Sequence, residues 1–413
     1  MRIVSGQDAV AAAKALSARG AQLARLEPRV RSIVNDVRRG GDRALRRYAE
    51  QWDGLAADQP LRVPEAEMAA AWRSLPHRLR DSLLRAAQNI RRFSEWQKPK
   101  SWTRSRGGIL VGQMVRPLES VGCYVPGGRY PLVSTLLMTV IPAQVAGVKN
   151  IRVVSPKPSS EVLAAAAMLG VREFYRAGGA QAVAALAYGT KSIPRVDKIV
   201  GPGNAYVTAA KKQVWFDCAI DFLAGPTEAV VLASGGVPEF IAADLVSQAE
   251  HDPESLAALI TTSRRLARAV DLNVARLAQN NAIALESLRR RGVILVAETR
   301  KQARDWANLL APEHITVEAA DLPFIQNAGS VFVGDYSPQA AGDYASGPNH
   351  VLPTSGQARF RGGLSVLDFC KLITVQELSR SGLRKIVKTI ECLAQAEGLP
   401  GHAESIRVRS AHA

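Results

Sequence analysis

Four of the six histidines in this 413-residue chain lie in dense polar clusters. The clusters are Gln248-Ala249-Glu250-His251, Pro312-Glu313-His314, the stretch Gly342 to His350 reading GDYASGPNH, and Glu397-Gly398-Leu399-Pro400-Gly401-His402. His77 and His412 stand apart from them. Imidazoles beside carboxylates and amides are the donors a divalent metal takes, and histidine also exchanges protons near neutral pH without a large shift. The distribution points to one assembled active site.

Gln248 and His251 are three apart on an expected helix, so both project from one face and one helix can supply two ligands. The pair reads equally as a solvated polar face, and its position near a helix C-terminus adds no weight. Glu313-His314 is an acid–base pair at a strand entrance, with Pro312 restraining the backbone before it. Neighbours in extended chain point to opposite sides, so the two are expected to serve different partners. The glutamate needs burial to titrate near neutrality, and a surface pair is the alternative. Asp343 to His350 forms a loop of side-chain donors and bends, expected as a binding loop or as an Asx-stabilised turn.

The elements that must position these residues change character along the chain. From Met1 to about Gly107 apolar residues recur at helical spacing, as in Val30, Ile33, Val34 and Val37. Gly40-Gly41 interrupts that pattern, with Asp42 as the expected N-cap of its restart. Beyond Gly107 short apolar runs alternate with amphipathic ones, which indicates parallel sheet covered by helices. Expected strands are 120–125, 151–155, 198–200, 229–232, 258–262, 293–296 and 331–333. Expected helices are 132–146, 160–169, 180–188, 205–214 and 238–250. Two modest sheets are expected, with Ala224-Gly225-Pro226-Thr227 as the crossing between them, and helices return from about Gly363. No GxGxxG opens a helix after a strand. Pro126-Gly127-Gly128 and Gly201-Pro202-Gly203-Asn204 stand there instead, at strand ends where open sheets bind ligands. The helices starting near Leu132 and Ala205 would offer amides to phosphate, and plain turns are the alternative.

Composition narrows the class. The length implies two or three domains, and 47% hydrophobic residues is ordinary for a soluble protein. Cys123, Cys218, Cys370 and Cys392 have no CxxC spacing, so neither a disulfide framework nor a thiolate zinc site is indicated and a cytoplasmic setting is expected. Val10 to Leu16 lacks the apolar core of a signal peptide, and no run reaches the roughly 20 apolar residues that span a bilayer. The net charge of +16 invites a nucleic-acid reading. No basic run is interleaved with aromatics, however, so solvated helix faces are the expected account, with neither nucleic acid nor membrane as partner.

Several ordered segments together resemble the histidinol dehydrogenase family. They are Gly122 to Gly128 (GCYVPGG), Ala177 to Gln181 (AGGAQ), Val200 to Val207 (VGPGNAYV), Ala224 to Glu228 (AGPTE), Ser247 to His251 (SQAEH), Ala311 to His314 (APEH), Asp343 to Thr354 (DYASGPNHVLPT) and Glu397 to His402 (EGLPGH). The resemblance implies a zinc-dependent enzyme that oxidises L-histidinol to L-histidine through the aldehyde with two NAD⁺, closing histidine biosynthesis. It implies that Gln248, His251, Asp343 and His402 hold one zinc per subunit. His314 would be the base and Glu313 would activate the water that hydrates the aldehyde. Tyr124, Gln181 and Asn204 match NAD contacts, and Thr227, His350 and Glu397 match substrate contacts, joined by His314 and the zinc ligands. A homodimer is implied whose C-terminal segment crosses to the partner, so that Glu397 and His402 complete the neighbouring site. Cys123 has no histidine beside it in sequence and is not expected as a nucleophile.

The expected fold class is α/β, with two Rossmann-like parallel-sheet domains, a helical N-terminal segment and a helical C-terminal tail. The expected division is 1–20 as the N-terminal segment, 21–122 with 229–364 as a discontinuous α/β domain carrying most metal and catalytic residues, 123–228 as the NAD-binding domain, and 365–413 as the tail. The alternatives are a related zinc and NAD dehydrogenase of another small polar alcohol, and a zinc hydrolase using Glu313 without nicotinamide.

Overall fold

The computed structural model of the chain describes residues 1–18, 23–127 and 132–411. Gly128 of the expected glycine-rich turn and His412 lie outside the described residues. In chain order the strands are β1 (Arg2–Ser5), β2 (Trp102–Arg106), β3 (Ile109–Pro117), β4 (Ser120–Tyr124), β5 (Asn150–Val154), β6 (Glu173–Tyr175), β7 (Lys198–Val200), β8 (Ala219–Ile220), β9 (Glu228–Leu232), β10 (Leu256–Thr261), β11 (Gly292–Val296), β12 (His314–Val317), β13 (Ser330–Val333) and β14 (Cys370–Leu378).

Two of the sheets are wholly parallel. The first has the order β6-β5-β4-β7-β8 and the second β1-β11-β10-β9-β12-β13. Their strands are short runs of apolar residues because both faces are covered by helices. In the first sheet Val121, Cys123, Val153, Phe174 and Val200 pack toward helices Val133–Ala146 and Ser160–Met168. The alternate residues Tyr124, Val154, Tyr175 and Ile199 pack toward helices Glu27–Tyr48, Gly179–Tyr188 and Ala205–Val214. In the second sheet Ala229, Val231, Leu259 and Ile294 face helices Pro238–Ala249 and Arg264–Ala278, while Val230, Leu232, Ile260 and Leu295 face helices Gly6–Ser17 and Arg300–Leu310.

Four features depart from the sequence expectation. Arg2–Ser5 is not helical but the edge strand of the second sheet, paired in parallel with Val293 to Val296. Four residues are too few to show a period, and only the partner strand makes them a strand. Residues 102–117 and 370–378 form a third, antiparallel sheet in the order β14-β3-β2, where helix had been expected on both sides of the sheet region. β14 is exposed along nearly its whole length, so no buried face patterned it. Gly41 does break helix 27–48, at φ 52°, but Asp42 is turned elsewhere: its carboxylate accepts from the backbone N–H and the hydroxyl of Ser192. β4 straddles residues 122 and 123, where a domain boundary had been expected. No helix among the described residues is long and apolar enough to cross a membrane.

Each parallel sheet has a point where the strand order reverses, between β4 and β7 in the first and between β9 and β12 in the second. Open sheets bind ligands in the crevice at such points. The two sheets use opposite edges of that crevice.

Candidate active site

The amino ends of β9 and β12 are neighbours, with His314 in register with Ala229. Thr227 and Glu228 therefore meet Glu313 and His314. The Thr227 hydroxyl donates to Glu313 Oε2 at 2.6 Å and the Glu228 N–H donates to the same oxygen at 2.9 Å. Glu228 answers by accepting the Glu313 N–H at 3.3 Å and the Ser355 N–H at 2.9 Å. Two buried carboxylates thus latch the ends of adjacent strands and the 355 loop. Sequence reasoning missed Glu228, which closes the AGPTE segment and reads there only as a strand start.

Glu313 and His314 do not serve opposite sides as extended chain would require. Glu313 sits in a bend ahead of β12, so its carboxylate swings round to 3.7 Å from His314 Nδ1. His314 Nε2 lies 3.5 Å from Asp343 Oδ1. Both residues are buried, at 7% and 3% exposure, and neither imidazole nitrogen has a hydrogen-bond partner. A buried imidazole with both nitrogens unsatisfied is costly and is available to a ligand. Burial pushes the Glu313 carboxyl up to about 7, since one hydroxyl, one backbone N–H and the His314 charge do not offset its desolvation. Burial opposes the charged form of His314, but the charges of Glu313 and Asp343 outweigh it and raise its pKa. A carboxyl that titrates near neutrality, side by side with an imidazole whose pKa is raised, can pass protons in both directions.

Gln248, buried on the inner face of helix 238–249, donates its amide nitrogen to Asp343 Oδ2 at 3.0 Å, while Thr227 lies 3.2 Å from its amide oxygen. Burial alone would raise the Asp343 pKa. The His314 imidazole, 3.5 Å away, instead holds it below the usual carboxylate range. His350 is pinned as a neutral ring: burial lowers its pKa, Nδ1 lies 2.8 Å from the Asp343 carbonyl and Nε2 lies 3.3 Å from the Thr135 hydroxyl. Asn349 donates to the Met138 carbonyl at 2.6 Å. The loop 343–350 thereby ties the amino edge of the second sheet to the helix that follows β4.

Of the four expected metal ligands, Gln248, His251 and Asp343 share this region, with His251 exposed at its rim. His402 and Glu397 are exposed at and between the C-terminal helices Arg380–Ala396 and Pro400–Ala411, away from this cluster's bonds. Among the described residues no three His, Cys, Asp or Glu side chains form a metal cage. The donor chemistry still fits a borderline cation: an amide and a carboxylate are already together and an imidazole is adjacent. As placed, the Gln248 amide shows Asp343 its nitrogen, and a shared cation needs it reversed, an assignment the two amide atoms permit.

Tyr124, Gln181 and Asn204 come together as expected, in a 430 Å³ cleft at the carboxyl ends of β4 and β7 that Trp52, Asp53 and Lys157 also line. The Tyr124 hydroxyl accepts the Gly179 N–H at 2.9 Å. Gly201 has φ 111°, and a Cβ there would strike the Tyr124 carbonyl, so only glycine lets the β7 turn approach β4 this closely. Lys211 and Asp221, a buried ion pair at 2.5 Å, clamp that turn through the Gly201 carbonyl and N–H. One expectation changes. Asn204 Oδ1 accepts from the N–H groups of Tyr206 and Val207, so the cap itself occupies amides that were to serve phosphate. Cys123 is fully buried and its thiol is pushed up to about 12 by burial, which leaves no thiolate for nucleophilic attack.

The family model "Histidinol dehydrogenase" matches residues 16–410. This chain belongs to the histidinol dehydrogenase family. It is 47% identical over 396 residues to histidinol dehydrogenase of Methanothermobacter thermautotrophicus, covering 92% of each chain. It is 47% identical over 393 residues to that of Thermus thermophilus, covering 93% of this chain and 94% of the other. The crystal structure of histidinol dehydrogenase from Elizabethkingia anophelis superposes with a TM-score of 0.93 at 36% identity, covering 99% of this chain and 98% of that one. Membership makes the chain an oxidoreductase by family.

Proposed function

We propose that the protein oxidises L-histidinol to L-histidine through L-histidinaldehyde, with one zinc per subunit and two NAD⁺ per turnover, closing histidine biosynthesis in the cytoplasm. The observation that carries this reading is the buried Glu313–His314 pair, with both imidazole nitrogens open, beside Asp343 and Gln248. Gln248, His251 and Asp343 would hold the zinc with His402, and the tail would bring His402 and Glu397 from the partner of a homodimer. Exposure of both residues away from their own chain's cluster favours that exchange. Residues 123–228 would serve as the cofactor unit, with Tyr124, Gln181 and Asn204 as its contacts.

When bound, zinc would hold and polarise the substrate and NAD⁺ would accept the hydride. His314 takes the hydroxyl proton as the alcohol becomes aldehyde. Hydride can leave only from a tetrahedral carbon, so the aldehyde must first be hydrated. Glu313, held near neutrality by burial, takes the proton from the attacking water, and His314 takes the next from the hydrate as the acid forms. Thr227 keeps Glu313 aimed through its 2.6 Å bond, and the neutral His350 presents a fixed wall to the substrate.

The test is NADH formation by zinc-loaded protein with L-histidinol, counted per substrate consumed and repeated after chelation. Two NADH per histidinol, abolished by chelator and restored by zinc, is the expected result. No NADH with bound zinc and NAD⁺ would redirect the search to other small polar alcohols.

A further inference from the structure

Asp53 stands outside every role assigned above, yet it is buried at 7% exposure in the wall of the cofactor cleft. It ends a π-helical turn, Ala49–Asp53, at the foot of the helical region, so it belongs neither to the strands nor to the turns of the sheet it faces. One oxygen, Oδ2, accepts twice: from the Gly178 N–H at 2.9 Å and from Gln181 Nε2 at 3.1 Å. Both partners donate, so although burial raises its pKa the group is held as an acceptor. The Gln181 amide is itself buried and cannot turn freely, because its oxygen fills the space where a Cβ on Gly179 would lie. Gly179, at φ 60°, is also part of the cleft wall.

A primary amide has a donor end and an acceptor end, and whatever fixes one end decides what the other offers. We infer that Asp53 is a positioning residue of the cofactor cleft: by taking the Gln181 N–H it commits the Gln181 oxygen to the cleft as an acceptor for an amino or carboxamide NH₂ of the dinucleotide. This rests on the cofactor reading given above. In Asp53→Leu that acceptor is gone, the Gln181 amide is free to reverse, and the cleft shows a donor where it had shown an acceptor. A donor set against the NH₂ of the dinucleotide weakens binding about 10-fold or more.

Asp53→Asn is the conservative counterpart. A single oxygen accepts both bonds in the native cleft, so the asparagine oxygen takes the same place, keeps Gln181 in its native orientation and holds the affinity although the charge is removed.

The experiment is NADH titration by fluorescence on the zinc-loaded, full-length protein, with KM for NAD⁺ and kcat measured alongside and histidinol binding by calorimetry. Expected are a Kd for NADH raised about 10-fold in Asp53→Leu, KM following Kd with kcat within about 2-fold, histidinol binding unchanged, and affinity within about 2-fold of wild type in Asp53→Asn. Nicotinamide hypoxanthine dinucleotide, which lacks the adenine amine, separates the two NH₂ sources. If only wild type discriminates against it, adenine is the donor; if Asp53→Leu weakens both dinucleotides alike, the carboxamide is. Wild-type affinity in Asp53→Leu overturns the inference, as does Asp53→Asn binding as weakly as Asp53→Leu. Gln181→Met, which lacks the acceptor oxygen, decides if Asp53→Leu fails to fold: wild-type affinity there likewise overturns the inference. Absence of NADH binding by wild type would instead defeat the cofactor reading.

Discussion

Burial of the Glu313 carboxylate should leave a mark on stability that does not depend on turnover. Its carboxyl rises from 4.5 to about 7 in the folded chain, chiefly through desolvation. For an acid with a raised folded pKa, the unfolded chain releases its proton first. Stability is therefore lost as pH climbs from 4.5 through 7, and the loss is complete above that window. At about 1.36 kcal/mol per pH unit the rise corresponds to about 3 kcal/mol. Glu313→Gln removes this cost while its oxygen still accepts from Thr227 and the Glu228 N–H. While His314 is protonated the Glu313 charge returns part of the cost, so the difference develops fully only well above neutrality. Calorimetric scans of the chelated wild type and variant from pH 5 to pH 9 read it out. With an unfolding entropy of roughly 2.1 cal/mol/K per residue over 413 residues, and part of the loss already present at pH 5, the variant should gain about 3 °C on wild type between those limits. A difference in Tm that does not change with pH, or that moves against the variant, would refute the claim that Glu313 is held near neutrality by burial.

Three further outcomes follow from the proposed roles. His251→Ala should lose zinc and activity together by metal analysis, whereas Glu313→Gln should keep zinc, still oxidise the alcohol and fail at the aldehyde. Glu313→Gln and His402→Ala should each form no histidine alone, yet a co-expressed mixed dimer should regain one site that does, because one pairing reunites Glu313 of one protomer with His402 of the other; no recovery would place His402 in its own subunit's site. Cys123→Ala should retain most turnover and lose roughly 1–2 kcal/mol of stability from a small buried cavity, measured by denaturation and steady-state rates.

Much of the parallel-sheet scaffold was legible because a strand covered on both faces must be an apolar run, and β4, β5, β7, β9, β10 and β11 all are. β1, β2 and β14 were not, since their residues become strands only through pairing and lie exposed. The meeting of Gln248 and Asp343 with Glu313 and His314 was legible from residue types, because all four lie in dense polar segments. The shared orientation of Glu313 and His314 was not: it follows from the bend at Glu313, which depends on β13 and the 355 loop closing around it. Asp53 and Glu228 could not be read from spacing at all. Their partners, Gln181 and Glu313, are 128 and 85 residues away.

The Glu313–His314 cluster occupies the amino edge of the second sheet, and the carboxyl edge lies at the other end of the same strands. The turn Ser234-Gly235-Gly236 emerges there, with Gly235 exposed and nothing within 4 Å of where its Cβ would sit. That makes residue 235 an attachment point for immobilising the enzyme or for carrying a fluorophore. A cysteine placed there, once the exposed Cys392 and half-buried Cys370 are replaced, would tether the molecule by the edge opposite the Glu313–His314 cluster.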